Sequence, residues 1–353
     1  MSEGRSLVLG PRLSTGLSHS VVKGEDFRAQ QPNLRWSHDG SGETDFAFFG
    51  IFDGHGGKQV AKYCSKTLHD ELQKTLSKQT QFPGALAVDL PGFQAAAKEL
   101  SAFDGQDAVV QQTPEALVEA FTCADDVCRA MNLDSGTTAT VAVLAGWEVI
   151  IGNVGDSLAV LDTGCEVLQV SGNHRLDKNK AEQERIQKAG GEIARSTVCG
   201  VETGPLRAWP GGLAMSRTIG DPKAGDFVTS VPEVRQFTWP FTGGRLIVAS
   251  DGLWDAVSPK SACHSTRGMS AGQAANALVK ASRKGKTSSR DDVTVLVVDA
   301  IPNEQGRLPA ILHRTASGAS TSSSSGQDSS EGCLIWKPLE ENKGPSVNWR
   351  ERS

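Results

Sequence analysis

Residues 46–57 read FAFFGIFDGHGG. The first seven are apolar or glycine, rich in Phe, with no polar residue at alternate positions. That pattern predicts a strand covered on both faces rather than one with a wet side. The run ends in an acid, Asp53, and then bends through Gly54, His55, Gly56 and Gly57. Beyond the bend, Val60, Cys64, Leu68, Leu72 and Leu76 recur every fourth residue, which is the spacing of one helix face.

Outward from this segment, 138–145 (TATVAVLA) and 147–154 (WEVIIGNV) predict two strands joined by a tight turn at Gly146. Further strands are expected at 158–162, 165–170, 245–250 and 293–299, and helices at 178–189 and 271–284. Another helix is expected to begin at Pro114, a favoured first-turn residue, with Leu117, Phe121, Ala124, Cys128 and Met131 on one face. Strands come in hairpin-like runs separated by helices. Regular β-α-β alternation is missing, so an antiparallel α+β architecture is favoured. Residues 1–13 read as a loose lead-in and 82–113 as an insertion loop. Residues 317–330 hold eight serines in 14 and no hydrophobe larger than Ala. Residues 301–353 are therefore expected to be a disordered tail.

The chain has 353 residues, 36 Lys+Arg against 41 Asp+Glu, and 38% hydrophobic residues. A sizeable core is available. The net charge of −5 argues against a general binder of nucleic acid or anionic membrane. No stretch approaches 18 consecutive apolar residues, and the N-terminus lacks the apolar run of a secretory signal. The seven cysteines, at 64, 123, 128, 165, 199, 263 and 333, are scattered with no C-x-x-C, which points to a reducing compartment rather than a disulfide framework. The expectation is a soluble monomer of the cytoplasm, the nucleus or both.

The acids fall in a pattern. Asp53 follows FAFFGIF, Asp156 follows VIIGNVG and Asp251 follows RLIVAS, while Asp291-Asp292 precedes VTVLVVD. If strand 293–299 pairs antiparallel with 245–250, Asp291 and Asp251 meet at one sheet edge, where Glu25-Asp26 could join them. Two like charges ~4 Å apart repel by about 4 kcal/mol at an effective dielectric near 20. No Lys/Arg-rich segment adjoins these acids in sequence, so hard divalent ions, Mg²⁺ or Mn²⁺, suit them best. For one Asp-Gly alone, an ordinary turn is the simpler account. His55, two residues from Asp53 on a glycine bend, is placed to donate a proton or merely to lead into the helix.

The stretches FGIFDGHGG (49–57), GTTATVAVL (136–144), GNVGDS (152–157), LAMSRTIGD (213–221), IVASDGLWDAVS (247–258) and RDDVTVLVVD (290–299) occur in the order seen in metal-dependent protein phosphatases of the 2C type. The chain resembles that family over about residues 14–300, and is most similar to a plant subgroup. The resemblance implies a β-sandwich of two antiparallel sheets flanked by pairs of helices. It implies a serine/threonine protein phosphatase whose partners are phosphoproteins. It also implies two Mg²⁺ or Mn²⁺ ions: Asp53 bridging, Glu25 and the carbonyl of Gly54 on one ion, Asp251 and Asp291 on the other. A third, weaker ion would use Asp156, Asp251 and Asp255. His55 matches the general acid, Asp292 falls where relatives often carry Asn, and 191–213 matches a flap beside the site.

Three departures stand out. The phosphate-gripping Arg expected four residues before Glu25 is Val21, leaving Lys23 or Arg12 as substitutes. The Arg after Gly-Asp-Ser is Leu158, and the Asp-His-Lys-Pro segment reads Asn173-His174-Arg175-Leu176. The first departure keeps an alternative open: a catalytically weak, phosphoprotein-binding regulatory module of the same fold.

Overall fold

The computed structural model describes residues 10–38, 42–77, 108–284 and 291–302. Strands β1 (Arg12–Ser20), β2 (Asp26–His38) and β3 (Gly42–His55) lead into helix α1 (Gln59–Leu76). Helix α2 (Ala108–Ala130) precedes β4 (Gly136–Thr137), β5 (Ala139–Ala145), β6 (Glu148–Val154), β7 (Leu158–Asp162) and β8 (Val167–Gln169). A 3-10 turn (Leu176–Lys178), α3 (Lys180–Lys188) and a hairpin of β9 (Glu192–Val198) and β10 (Val201–Trp209) follow. Then come β11 (Ile219–Gly220), β12 (Glu233–Thr238), β13 (Gly244–Ala249), α4 (Asp251–Trp254), α5 (Pro259–Thr266), α6 (Ala271–Ser282) and β14 (Val293–Ile301).

Among the described residues, two large sheets form. One has the order β1-β14-β13-β7-β8; the other runs β11-β4-β3-β5-β6-β12, with β2 also paired to β3. Phe49, Ile51, Val149 and Ile151 of the second sheet pack face to face with Leu161, Leu246, Val248 and Leu296 of the first. The opposite face of the second sheet, with Phe48, Phe52, Val141 and Val143, lies under α1 and α2. The outer face of the first, with Val160, Ile247, Val295 and Val297, lies under α4–α6. Each sheet is thus covered on both sides, which is why β5 and β13 are buried at every position. The result is a four-layer α/β/β/α sandwich, the α+β class expected. Its four layers take up the apolar runs that a two-layer antiparallel fold would leave half wet.

The hairpin around Gly146, the strand 158–162 and the α1 stripe lie where the pattern puts them. Elsewhere the structure corrects the reading. Helix α2 begins at Ala108, not Pro114, which sits inside it. Buried Val109 and Val110 extend its apolar stripe one and a half turns upstream, and that burial outweighs the hydrogen bond proline cannot donate. β1 opens at Arg12, within the segment expected to be a lead-in. β2 had no sequence signal, because FRAQQPNLRW is polar and contains Pro32. Its register slips between Gln31 and Leu34, which gives the proline a place in the strand. Cys165 is disulfide-bonded, whereas Cys64, Cys123, Cys128, Cys199 and Cys263 are free. Among the described residues no helix is long and apolar enough to cross a membrane. The expectations for 82–107 and for the Ser-rich tail after Pro302 lie outside the described residues.

Candidate metal centre

β13 and β14 pair antiparallel, with Ala249 opposite Val295 and Gly244 opposite Ala300. The end of β13, bearing Asp251, therefore lies beside the start of β14, preceded by Asp291-Asp292. On the other sheet, Asp26 sits directly across from Asp53 in the β2–β3 register. Asp156 lies in the Gly155–Ser157 connection that crosses from β6 to β7. Asp255 follows Asp251 by four residues and its N–H donates to the Asp251 carbonyl, 2.8 Å, so both face the same side of one helical turn. One end of the sandwich thus gathers acids from five separate stretches of chain.

Their charges act on one another. The Asp53 carboxyl is held well above the usual range by burial first, then by Asp26, Asp251, Asp156 and Asp291. Burial, then Asp156, Asp255 and Asp291, push Asp251 up to about 7. Burial lifts Asp26 to about 6 even though the Ser250 hydroxyl donates to its Oδ2, 2.9 Å. Asp26 Oδ1 is buried with no hydrogen-bond partner. Such a set is a poor proton-free assembly by itself and a good host for positive charge. Glu25 stands beside it: its Oε1 accepts from the Gly57 N–H, 2.9 Å, and its carbonyl from the Gly54 N–H, 3.2 Å. A Cβ at Gly54 would stand 2.6 Å from that carbonyl oxygen, so the bend closes only around glycine.

Among the described residues, no three Asp, Glu, His or Cys side chains already converge on one point in ligand geometry. Two cations of the chain hold the oxygens instead. Lys23 Nζ lies 2.6 Å from Asp291 Oδ2. Arg175 Nη1 lies 3.2 Å from Asp156 Oδ2, 3.5 Å from Asp251 Oδ2 and 3.4 Å from Asp255 Oδ2. No Lys/Arg-rich segment adjoins the acids in sequence, yet these two single basic residues reach them in the fold, both arriving through loops. The remaining donors are all oxygens, mutually repelling and partly unpartnered, which fits hard divalent ions.

His55 Nε2 lies 2.8 Å from Asp221 Oδ2. Burial disfavours the imidazolium, but the bond and charge of Asp221 outweigh it and raise the His55 pKa. Asp221 adopts φ +53° and presses its carboxylate onto Gly136, where a Cβ would stand about 2.0 Å from Oδ2. Asp221 lies in LAMSRTIGD, but its link to His55, 166 residues away, has no signal in spacing.

Asp292 organises the opposite wall. Its Oδ1 accepts the N–H groups of Val22 (2.5 Å) and Lys23 (2.7 Å); its Oδ2 accepts those of Glu25 (2.7 Å) and Asp26 (3.1 Å). Burial alone would raise this carboxyl, yet the backbone N–H groups of the 22–26 turn bring it down to about 2. Of the two phosphate-gripping candidates, Lys23 lies at the centre. Arg12 does not: it pairs with Ile301 while Ser20, at the other end of β1, pairs with Val293. That is eight strand positions from the acid-bearing edge, about 26 Å. Val21 is 64% exposed. Residues 191–213 hold the β9–β10 hairpin, a two-stranded sheet of its own.

The profile of the protein phosphatase 2C family matches residues 18–291, and the chain belongs to that family. Among curated relatives, it is 37% identical over 293 residues to the probable protein phosphatase 2C 33 of Oryza sativa subsp. japonica, covering 82% of this chain and 62% of that one. It is 38% identical over 295 residues to the probable protein phosphatase 2C 5 of Arabidopsis thaliana, covering 83% and 63%. The chain thus spans somewhat less than two thirds of the length of these plant relatives. In fold it is similar to a serine-threonine phosphatase 2C from Toxoplasma gondii, with TM-score 0.59, 22% identity, and coverage of 83% of this chain and 97% of that one.

Proposed function

We propose that this chain is a Mg²⁺- or Mn²⁺-dependent phosphatase of phosphoserine and phosphothreonine in proteins. The observation that carries the reading is the gathering of Asp26, Asp156, Asp251 and Asp291 around Asp53 at one end of the sandwich, the four together raising the Asp53 carboxyl. Asp53, Glu25, the Gly54 carbonyl, Asp251 and Asp291 would hold the two ions. When bound, such a pair supplies an activated water and charge to stabilise a phosphoryl group in transfer. Asp292 fixes the 22–26 turn, so that Lys23 and Glu25 keep their places. Lys23 leaves Asp291 to engage the substrate phosphate as a point charge. His55, kept charged by Asp221, gives its proton to the departing Ser or Thr oxygen, a poor leaving group unless protonated.

Phosphate release from a phosphothreonine peptide, measured with Mn²⁺, with Mg²⁺ and with chelator, tests this. Turnover that needs the metal supports it; none at millimolar Mn²⁺ refutes it. One observation favours the alternative of a phosphoprotein-binding module: apolar Val21 stands exposed where a guanidinium fork would grip phosphate. That reading expects phosphopeptide binding without turnover.

A further inference from the structure

Arg175 is set into the acidic cluster rather than lying across it. Its own N–H donates to Asn173 Oδ1, 3.0 Å, and the N–H of the next residue, buried Leu176, donates to the Ala214 carbonyl, 2.9 Å. The preceding His174 is fully buried. Its N–H donates to the Gly155 carbonyl, 3.0 Å, while its Nδ1 accepts the Gly155 N–H, 3.1 Å. Gly155 is the neighbour of Asp156. The loop that brings Asp156 is thus tied through two hydrogen bonds to the loop that brings Arg175, and the side chain is only 22% exposed. From there a single nitrogen, Nη1, reaches Asp156, Asp251 and both oxygens of Asp255.

We propose that the Arg175 guanidinium is a built-in cation that takes the place of a third divalent ion among Asp156, Asp251 and Asp255, leaving a two-ion centre. A guanidinium does not lose its proton in a protein, so this position carries one fixed positive charge at every working pH. A divalent ion entering there would have to expel it or sit against it. Removing the guanidinium exposes three carboxylates with no replacement counter-charge, and an ion should then bind. The inference rests on the two-ion reading of the neighbouring site, and the experiment separates the two.

The 353-residue protein, stripped with chelator, is titrated with MnCl₂ by calorimetry, and bound metal is counted by elemental analysis. Wild type is expected to take two ions per chain. Arg175→Met should take a third, bound at least about tenfold more tightly than any third ion on wild type. Arg175→Met/Asp255→Asn should return to two. Arg175→Gln, less apolar, replaces Arg175→Met if circular dichroism shows the latter misfolded. A wild type that takes three ions as tightly as the variant overturns the inference, as does a folded variant that stops at two. A wild type that takes none removes the two-ion reading itself, and the inference with it.

Discussion

Asp292→Asn isolates the contribution of one buried carboxylate to the wall of the site. In the wild type this side chain, 3% exposed, accepts four backbone N–H groups and lies at about 2 instead of 3.8. A shift of roughly 2 units corresponds to about 2.5 kcal/mol in favour of the folded state at neutral pH. Asn keeps one oxygen, facing Val22 and Lys23, but turns an amide donor toward the N–H groups of Glu25 and Asp26. Two donors left opposed add about 1–3 kcal/mol. Urea denaturation in EDTA, where bound metal contributes nothing, should show the variant less stable by about 3–5 kcal/mol at pH 7. At an m-value near 3 kcal/mol/M that is a midpoint shift of more than about 1 M. The pH dependence has a definite sign. A carboxyl depressed by folding stabilises above its unfolded value, and this stabilisation is lost as pH falls through the folded one. The gap between wild type and variant should therefore narrow by about 1 kcal/mol between pH 7 and pH 3. An unchanged gap, or a variant as stable as wild type at pH 7, would refute the role given to Asp292.

Asp53→Asn removes a charge that four neighbouring acids oppose; it should raise the melting temperature in EDTA while Mn²⁺ binding, followed by calorimetry, is lost. Asp221→Asn should weaken His55 as a proton donor. Phosphopeptide turnover is expected to fall about 10²-fold or more and p-nitrophenyl phosphate turnover much less; equal losses would take His55 out of the acid role. Gly54→Ala places a methyl 2.6 Å from the Glu25 carbonyl oxygen, and chemical denaturation should show a loss of about 1–3 kcal/mol together with weaker Mn²⁺ binding.

The sequence by itself determined the parts whose information is local. FAFFGIF is apolar or glycine at every position, so it had to become a strand covered on both faces, and TATVAVLA and VTVLVVD were legible as strands. The fourfold spacing from Val60 to Leu76 had to become a helix face. Acids at strand ends, taken with one assumed antiparallel pairing, were enough to bring Asp251 and Asp291 to a common edge. The tertiary structure alone decided the rest. β2 is too polar to announce itself and exists because β3 offers it a partner edge. The start of α2 was set by the burial of Val109 and Val110 against a proline that favours another start. Arg175 on three carboxylates, Asp221 on His55 and Asp292 under the 22–26 turn are contacts between residues far apart in the chain. Periodicity records which face of an element is buried. It carries nothing about the path of the loops, and it is the loops that choose which charges meet.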